Sequence, residues 1–327
     1  ALVSSNIELV DSPLDADIEF HVGQPILYQK PQMSPSVMFS MNETTGLPKY
    51  WVNTYNKFDE IIVPCDWNKH HYKLSGVTSP IHKVHLSVDK DRFPYIQRTI
   101  GKLWCYLGQS VKLIDRKNIW KVGEIFKHNK MPSDTLLVIK TNPQKGDMPF
   151  RSFLHNQIVM FNEKMSYDDM IKEVHTKCNV SVNPASAEGF GFLPLEHQST
   201  GMISIQTAYS GLTETLHPEY NLALNYKEKT SNLISMGGMD ADPDLDHLYE
   251  LMLWTYEHQE ESLEMGKMAS KWVQETFTKE RMANDVIDIL ERCINTIPKK
   301  MHNIYNANDD ISEWVNLEAV NIFGYNN

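Results

Sequence analysis

The densest chemistry in the sequence lies in one run, Asn183-Pro184-Ala185-Ser186-Ala187-Glu188-Gly189-Phe190-Gly191-Phe192-Leu193-Pro194-Leu195-Glu196. It follows a strand-like Val180-Ser181-Val182 and opens a helix that stops near Thr200-Gly201. Gly189 and Gly191 let the backbone come close to a ligand, and a helix beginning near Phe192 aims free N–H groups at an anion. Glu188 and Glu196 flank that helix start. Carboxylates are acceptor-only groups, so the pair suits sugar hydroxyls on either side of a diphosphate. The residues leave one alternative open: a helix-capping loop with a surface glutamate.

The elements that must position this run form two successive series of strands and helices. In the first, strands are expected at 17–22, 36–41, 60–64 and 82–88, with helices from Pro48 to Phe58 and from Trp67 to Leu74. The second series starts after a pause at Phe93-Pro94. Its strand 103–107 runs into a turn at Gly108; helix 119–128 and strand 135–140 follow. Strand 157–161, helix 167–175 and strands 180–182 and 202–206 complete it. Alternation of this kind implies parallel sheets covered by helices, with ligands outside the carboxyl ends of the strands. A long helical region from about Leu245 to Ile297 comes last. Asp240, Asp242, Asp244 and Asp246 precede it, but their order fails the requirements of a calcium loop, so they read as a solvated loop favouring a helix N-terminus.

The chain has 327 residues, 41% hydrophobic and 22% charged, the composition of a soluble globular protein of about two domains. Its net charge of −11 disfavours broad capture of nucleic acid, although a local basic groove remains compatible. No apolar run is long enough to span a membrane, and the start has no signal-peptide pattern. Cys65, Cys105, Cys178 and Cys293 are scattered and read as reduced thiols, and the expected location is cytoplasmic. Asn42 and Asn179 sit in N-glycosylation patterns that carry little weight without a secretion signal.

The glutamate run closely resembles the E-x7-E signature of retaining GT-B glycosyltransferases of the family 4 type. Ser186, Glu188, Gly189, Phe190, Gly191, Pro194, Leu195, Glu196 and Gly201 carry the match. Moderately specific matches spread over the rest of the chain: Met38 to Pro48, Ile61 to Lys69, Val88-Asp89 with Phe93, and Leu107-Gly108 with Arg116-Lys117-Asn118. The resemblance implies an α/β GT-B fold, with two Rossmann-like parallel-sheet domains facing a cleft and a C-terminal helix crossing back. The divisions it implies are 1–97 for a small acceptor-side domain, 98–278 for the nucleotide-sugar domain, and 279–327 for the return helix and tail.

By the same resemblance, Glu188 contacts the donor sugar and Glu196 the ribose. Arg116 and Lys117, with Lys112 as another candidate, neutralise the diphosphate alongside the N–H groups of Gly189, Phe190, Gly191, Phe192 and Leu193. Glu43 lines the cleft, and His21 is either the first-domain histidine near the donor sugar or an uninvolved loop residue. The implied reaction is metal-independent, requires no cofactor, and moves a sugar from a nucleoside-diphosphate sugar to a hydroxyl of a glycan, lipid or other acceptor. The base should be read near the 157–161 strand and the Thr141 to Pro143 loop.

Three departures stand out. Gln109 replaces the arginine expected after Gly108, and His197-Gln198-Ser199 replace small residues after the second glutamate. The first strand and glycine-rich loop of the family have no counterpart, so either a segment precedes Ala1 or the first domain is a reduced form. Three rivals follow. One is a phage-type DNA-modifying transferase using Lys69, His70, His71, Lys73 and Lys83. Another is a non-catalytic nucleotide-sugar or glycan-binding protein. The third, a phosphorylase or epimerase, finds no pyridoxal-lysine motif here.

Overall fold

The computed structural model describes residues 7–12, 14–25, 31–110, 116–128, 130–141, 155–231 and 237–302. The first series forms β1 (Glu19–Val22), β2 (Met33–Ser34), β3 (Ser36–Phe39), α1 (Lys49–Tyr55), β4 (Glu60–Val63), α2 (Asp66–Leu74) and β5 (Ile81–Lys83). Strands β1, β3, β4 and β5 lie in that order in one parallel sheet. All four residues of β3 and of β4 are buried, because helices cover both faces. Trp51, Tyr55 and Tyr72 from α1 and α2 pack on one face with Met38, Ile61 and Val63. Of the strand expected over 82–88, only His82 and Lys83 pair, in β5; beyond them the chain leaves the sheet.

The second series forms β6 (Trp104–Gln109), α3 (Ile119–Lys127), β7 (Thr135–Lys140), β8 (Ile158–Phe161), α4 (Tyr167–Glu173), β9 (Val180–Asn183), α5 (Phe192–Ser199), β10 (Ile203–Thr207) and β11 (Leu222–Leu224). Its parallel order is β11-β10-β9-β6-β7-β8. The order reverses about β6, whose neighbours β7 and β9 carry the chain to opposite edges. Gly108 makes no turn, contrary to the sequence reading. It lies inside β6 opposite Ile139. A Cβ there would stand 2.8 Å from Ile119 Cγ2, so glycine allows α3 to seat directly on the strand.

A hairpin follows, β12 (Tyr226–Thr230) with β13 (Met239–Pro243), and it corrects the reading of the four acids. Asp240 and Asp242 are strand residues. Asp242 pairs with Lys121 at 3.3 Å, and Asp244 caps α6 (Leu245–Glu257) through Asp246 N and His247 N. Helices α7 (Gln259–Thr276) and α8 (Lys279–Thr296) complete the chain before β14 (Lys300–Met301), which pairs with β2. Val286, Ile289, Leu290 and Cys293 recur at helical spacing along α8 and cover Val37, Phe39, Ile62 and Val84 of the first sheet. The last helix therefore crosses back, and Arg292 ties it to Glu60.

The segment joining the two sheets is anchored by a buried guanidinium. Arg98 donates to the carbonyls of His175 (2.9 Å), Thr200 (3.0 Å) and Cys178, which fixes its place against the second sheet. All four cysteines are free and buried. Asn42 and Asn179 are also buried, so neither presents an accessible glycosylation acceptor in this fold. No helix among the described residues is long and apolar enough to cross a membrane.

Candidate active site

Strands β6 and β9 are adjacent, and their chains leave in opposite directions, so a crevice opens beyond their carboxyl ends. The Arg116–Asn118 turn and the Pro184–Gly191 loop fill that crevice. They are bonded together: Ser186 N donates to Arg116 O (2.7 Å), and Asn118 Nδ2 donates to Pro184 O and Ser186 Oγ (both 2.9 Å). Asn118 has φ 56°, a left-handed conformation that asparagine tolerates better than most residues. Ala241 N holds Ser186 O from the other side (2.8 Å), so the β12–β13 hairpin braces the loop.

Four charges meet at this place. Arg116 makes a two-pronged ion pair with Glu43, which follows β3 of the first sheet, with Nε donating to Oε2 at 2.8 Å. Its Nη1 reaches Glu188 Oε1 at 2.8 Å, and Lys117 Nζ reaches the same oxygen at 2.7 Å. Burial alone pushes Glu188 up, but the charges and hydrogen bonds of Arg116 and Lys117 outweigh it and bring the carboxyl to about 2. Glu43 moves the other way. Burial and the charge of Glu188 raise it, against the pull of Arg116, because two carboxylates share one guanidinium. Glu188 Oε2 receives no hydrogen bond among the described residues.

Helix α5 starts beside this cluster. Its N-cap is Gly191 at φ 108°, a left-handed conformation that strains any other residue, and no side chain caps the helix. The N–H groups of Phe192 and Leu193, in the first turn, therefore have no intrahelical acceptor. One turn on, the Glu196 carboxylate makes no hydrogen bond or ion pair among the described residues. Burial pushes it up to about 7, with Lys117 and Arg92 offsetting only part of that.

Comparison with protein-family models and with curated proteins returns no match. Solved structures do match. A sucrose-phosphate synthase from Thermosynechococcus elongatus superposes with a TM-score of 0.64 at 13% identity, over 79% of this chain and 67% of that one. The Anabaena protein HepE, crystallised with UDP and glucose, gives 0.61 at 11% identity over 79% and 72%. The pneumococcal O-GlcNAc transferase GtfA, solved with UDP and GlcNAc, gives 0.58 at 14% identity over 79% and 53%. The fold is that of the GT-B glycosyltransferases.

The GT-B cleft gathers Glu43, Arg116, Lys117, Glu188 and Glu196, together with the start of α5, but does not gather every residue singled out in the sequence. Gly189 is approached by the protein itself: its carbonyl accepts from Cys65 Sγ (3.4 Å) and Asn68 Nδ2 (3.2 Å) of the first sheet. Phe190 is buried with Leu195, Val273 and Phe277, so its side chain is core. His21 pairs with Met38 in the sheet, and its ring is turned to Glu19, which it bonds at 2.6 Å, and to Phe58, which it meets edge-on. Lys112 and Pro143 lie outside the described residues.

Sequence reasoning matched some of the residues that hold the site to the family pattern but assigned them no role. Asn118 is one. Ser210 is another, with φ 55° and Oγ accepting Glu188 N at 2.8 Å; the Tyr209-Ser210-Gly211 string was its only local signal. Glu214 is a third. It accepts from Lys83 (2.9 Å), His85 (2.5 Å) and the backbone N–H of Asp66 (3.2 Å), and so bridges the two sheets. Burial opposes its ionisation, but these donors bring its carboxyl to about 2.

Proposed function

We propose that the chain is a retaining, metal-independent glycosyltransferase that moves a sugar from a nucleoside-diphosphate sugar to an acceptor hydroxyl. The observation carrying this reading is the grouping of Arg116, Lys117 and Glu188 at the switch point of the second sheet, beside a Glu196 carboxylate with no partner among the described residues and a helix start with no side-chain cap. Lys117, Arg116 and the N–H groups of Phe192 and Leu193 stabilise the diphosphate as it departs and gains charge. Their cationic groups are now held by Glu43 and Glu188, so a bound diphosphate competes with those carboxylates. Glu43, with its raised carboxyl, is the weaker competitor.

Glu188, held near pH 2, is too weak a base to take a proton efficiently at neutral pH. Its role is to accept hydrogen bonds from donor-sugar hydroxyls through its open Oε2. Glu196 accepts from the ribose. The acceptor oxygen attacks the anomeric carbon on the face the diphosphate leaves, and its proton passes to the newly anionic phosphate oxygen. The complexes of HepE and GtfA with UDP support a uridine donor as the first to test. The acceptor class is a glycan, a lipid or another hydroxyl compound. The DNA reading loses Lys83, which is bonded to Asp66 and Glu214.

A thermal-shift screen against UDP, GDP and ADP sugars tests the proposal. One nucleotide series should raise the melting temperature, and that donor should be hydrolysed or transferred with retained anomeric configuration. No shift with any series would overturn the nucleotide-sugar reading, and binding without turnover would leave a non-catalytic binding protein.

A further inference from the structure

Two of the departures from the family pattern prove to be one feature. Gln109, in place of the expected arginine, and His197, in place of a small residue, are hydrogen-bonded through Oε1 and Nε2 at 3.1 Å. The direction of that bond follows from the chain behind it. Asn183 Nδ2 donates to Ser181 Oγ at 2.7 Å, which leaves the serine hydrogen for His197 Nδ1, also 2.7 Å away. His197 is fully buried, and burial together with His175, Lys117 and Arg98 keeps its pKa well below the ordinary histidine range, so the ring is neutral. A neutral ring accepting at Nδ1 carries its hydrogen at Nε2. That hydrogen goes to Gln109 Oε1. The Gln109 –NH2 is thereby turned away from His197, and it has no hydrogen-bond partner among the described residues. The side chain lines a small cavity shared with Lys117, Asn183 and Glu188.

We propose that Gln109 is a binding residue for the donor diphosphate, supplying oriented neutral N–H donors beside Lys117, and that His197 is the positioning residue that aims it. This rests on the nucleotide-sugar reading. An arginine at position 109 would bring a mobile charge that the buried His197 could not orient in the same way. The Gln109–His197 pair replaces that charge with direction, and it avoids adding a third cation to a cluster of two cations and two carboxylates.

Calorimetric titration of the full chain with UDP, GDP and ADP, and with the matching nucleosides, tests the proposal. For the diphosphate that the wild type binds, Gln109→Leu should weaken affinity by about tenfold, the range of a hydrogen bond to a charged group. Gln109→Glu should weaken it further, because its second oxygen repels phosphate. Nucleoside affinity should not change in either variant. His197→Phe should cost less than Gln109→Leu, and the double variant should be no weaker than Gln109→Leu alone, since the histidine acts through the glutamine. Thermal melting verifies that each variant is folded, and Gln109→Leu with Gln109→Glu decides the matter if His197→Phe is not. Diphosphate affinity unchanged by Gln109→Leu, equal losses for nucleoside and diphosphate, or additive losses in the double variant would overturn the proposal alone. A wild type that binds none of the three diphosphates would overturn it together with the function.

Discussion

Two ion clusters bridge the same gap between the sheets, each centred on a glutamate whose carboxyl is held at about 2. Around Glu214, both oxygens are taken by the protein: Oε1 by Lys83 and His85, Oε2 by Asp66 N. Around Glu188, Arg116 and Lys117 crowd onto Oε1, and Oε2 accepts no hydrogen bond among the described residues. The Gln109 amide shares the same cavity, and the Glu196 carboxylate, without a partner among the described residues, stands one turn into the adjoining helix. Acidity alone does not separate the two clusters. Hydrogen-bonding capacity left unused beside a cavity does, and under the proposed function it marks Glu188 as the site and Glu214 as the fastening.

The largest break between them should come from Lys117→Ala, which removes a cation from the leaving group. Transfer should fall by about 10²–10³-fold with little loss of stability, read from kcat and from melting. Glu214→Ala should do the reverse. It removes the ion pair with Lys83, the bond to His85 and a backbone bond across the gap, and urea unfolding should show a loss of about 2–3 kcal/mol with a smaller change in kcat.

The pH dependence sharpens the same contrast. The Glu214 carboxyl is lowered from 4.5 to about 2, so its contribution is present above pH 4.5 and is lost as pH falls toward 2. The wild-type advantage over Glu214→Gln should shrink across that window. Glu196 has the opposite sign. Its carboxyl is raised from 4.5 to about 7, so ionising it costs stability as pH rises through that range. Without ligand, Glu196→Gln should match the wild type below pH 4.5 and melt a few degrees higher above pH 7. His21→Ala should have the smallest effect, leaving transfer within about twofold and costing about 1 kcal/mol for the lost Glu19 bond.

What was legible in the sequence was local. The β-branched run Thr135–Lys140 forms β7 residue for residue, and the helical region expected to about Ile297 ends in α8, whose Val286, Ile289, Leu290 and Cys293 pack inward. The glycine-rich run with its glutamates marked the loop and helix of the candidate site, because Gly191 and the helix start are short-range signals. What was not legible depends on distant partners. Strand β12, Tyr226-Lys227-Glu228-Lys229-Thr230, is exposed along most of its length, so nothing in its periodicity announces a strand. The acids of β13 were therefore read as loop. Lys83 and His85 look like solvated residues until Glu214 is placed opposite them. Gln109 and His197 are 88 positions apart, and each looked like an isolated departure until the fold joined them.

The central claim, that the Glu188 cluster with Glu196 is the donor site, is tested most directly by calorimetry of nucleoside diphosphate binding to Lys117→Ala and Glu196→Ala beside the wild type. Lys117→Ala should weaken affinity by about 10–100-fold through the lost phosphate contact, and Glu196→Ala by about tenfold through the lost ribose bonds. Unchanged affinity in both variants would contradict the assignment.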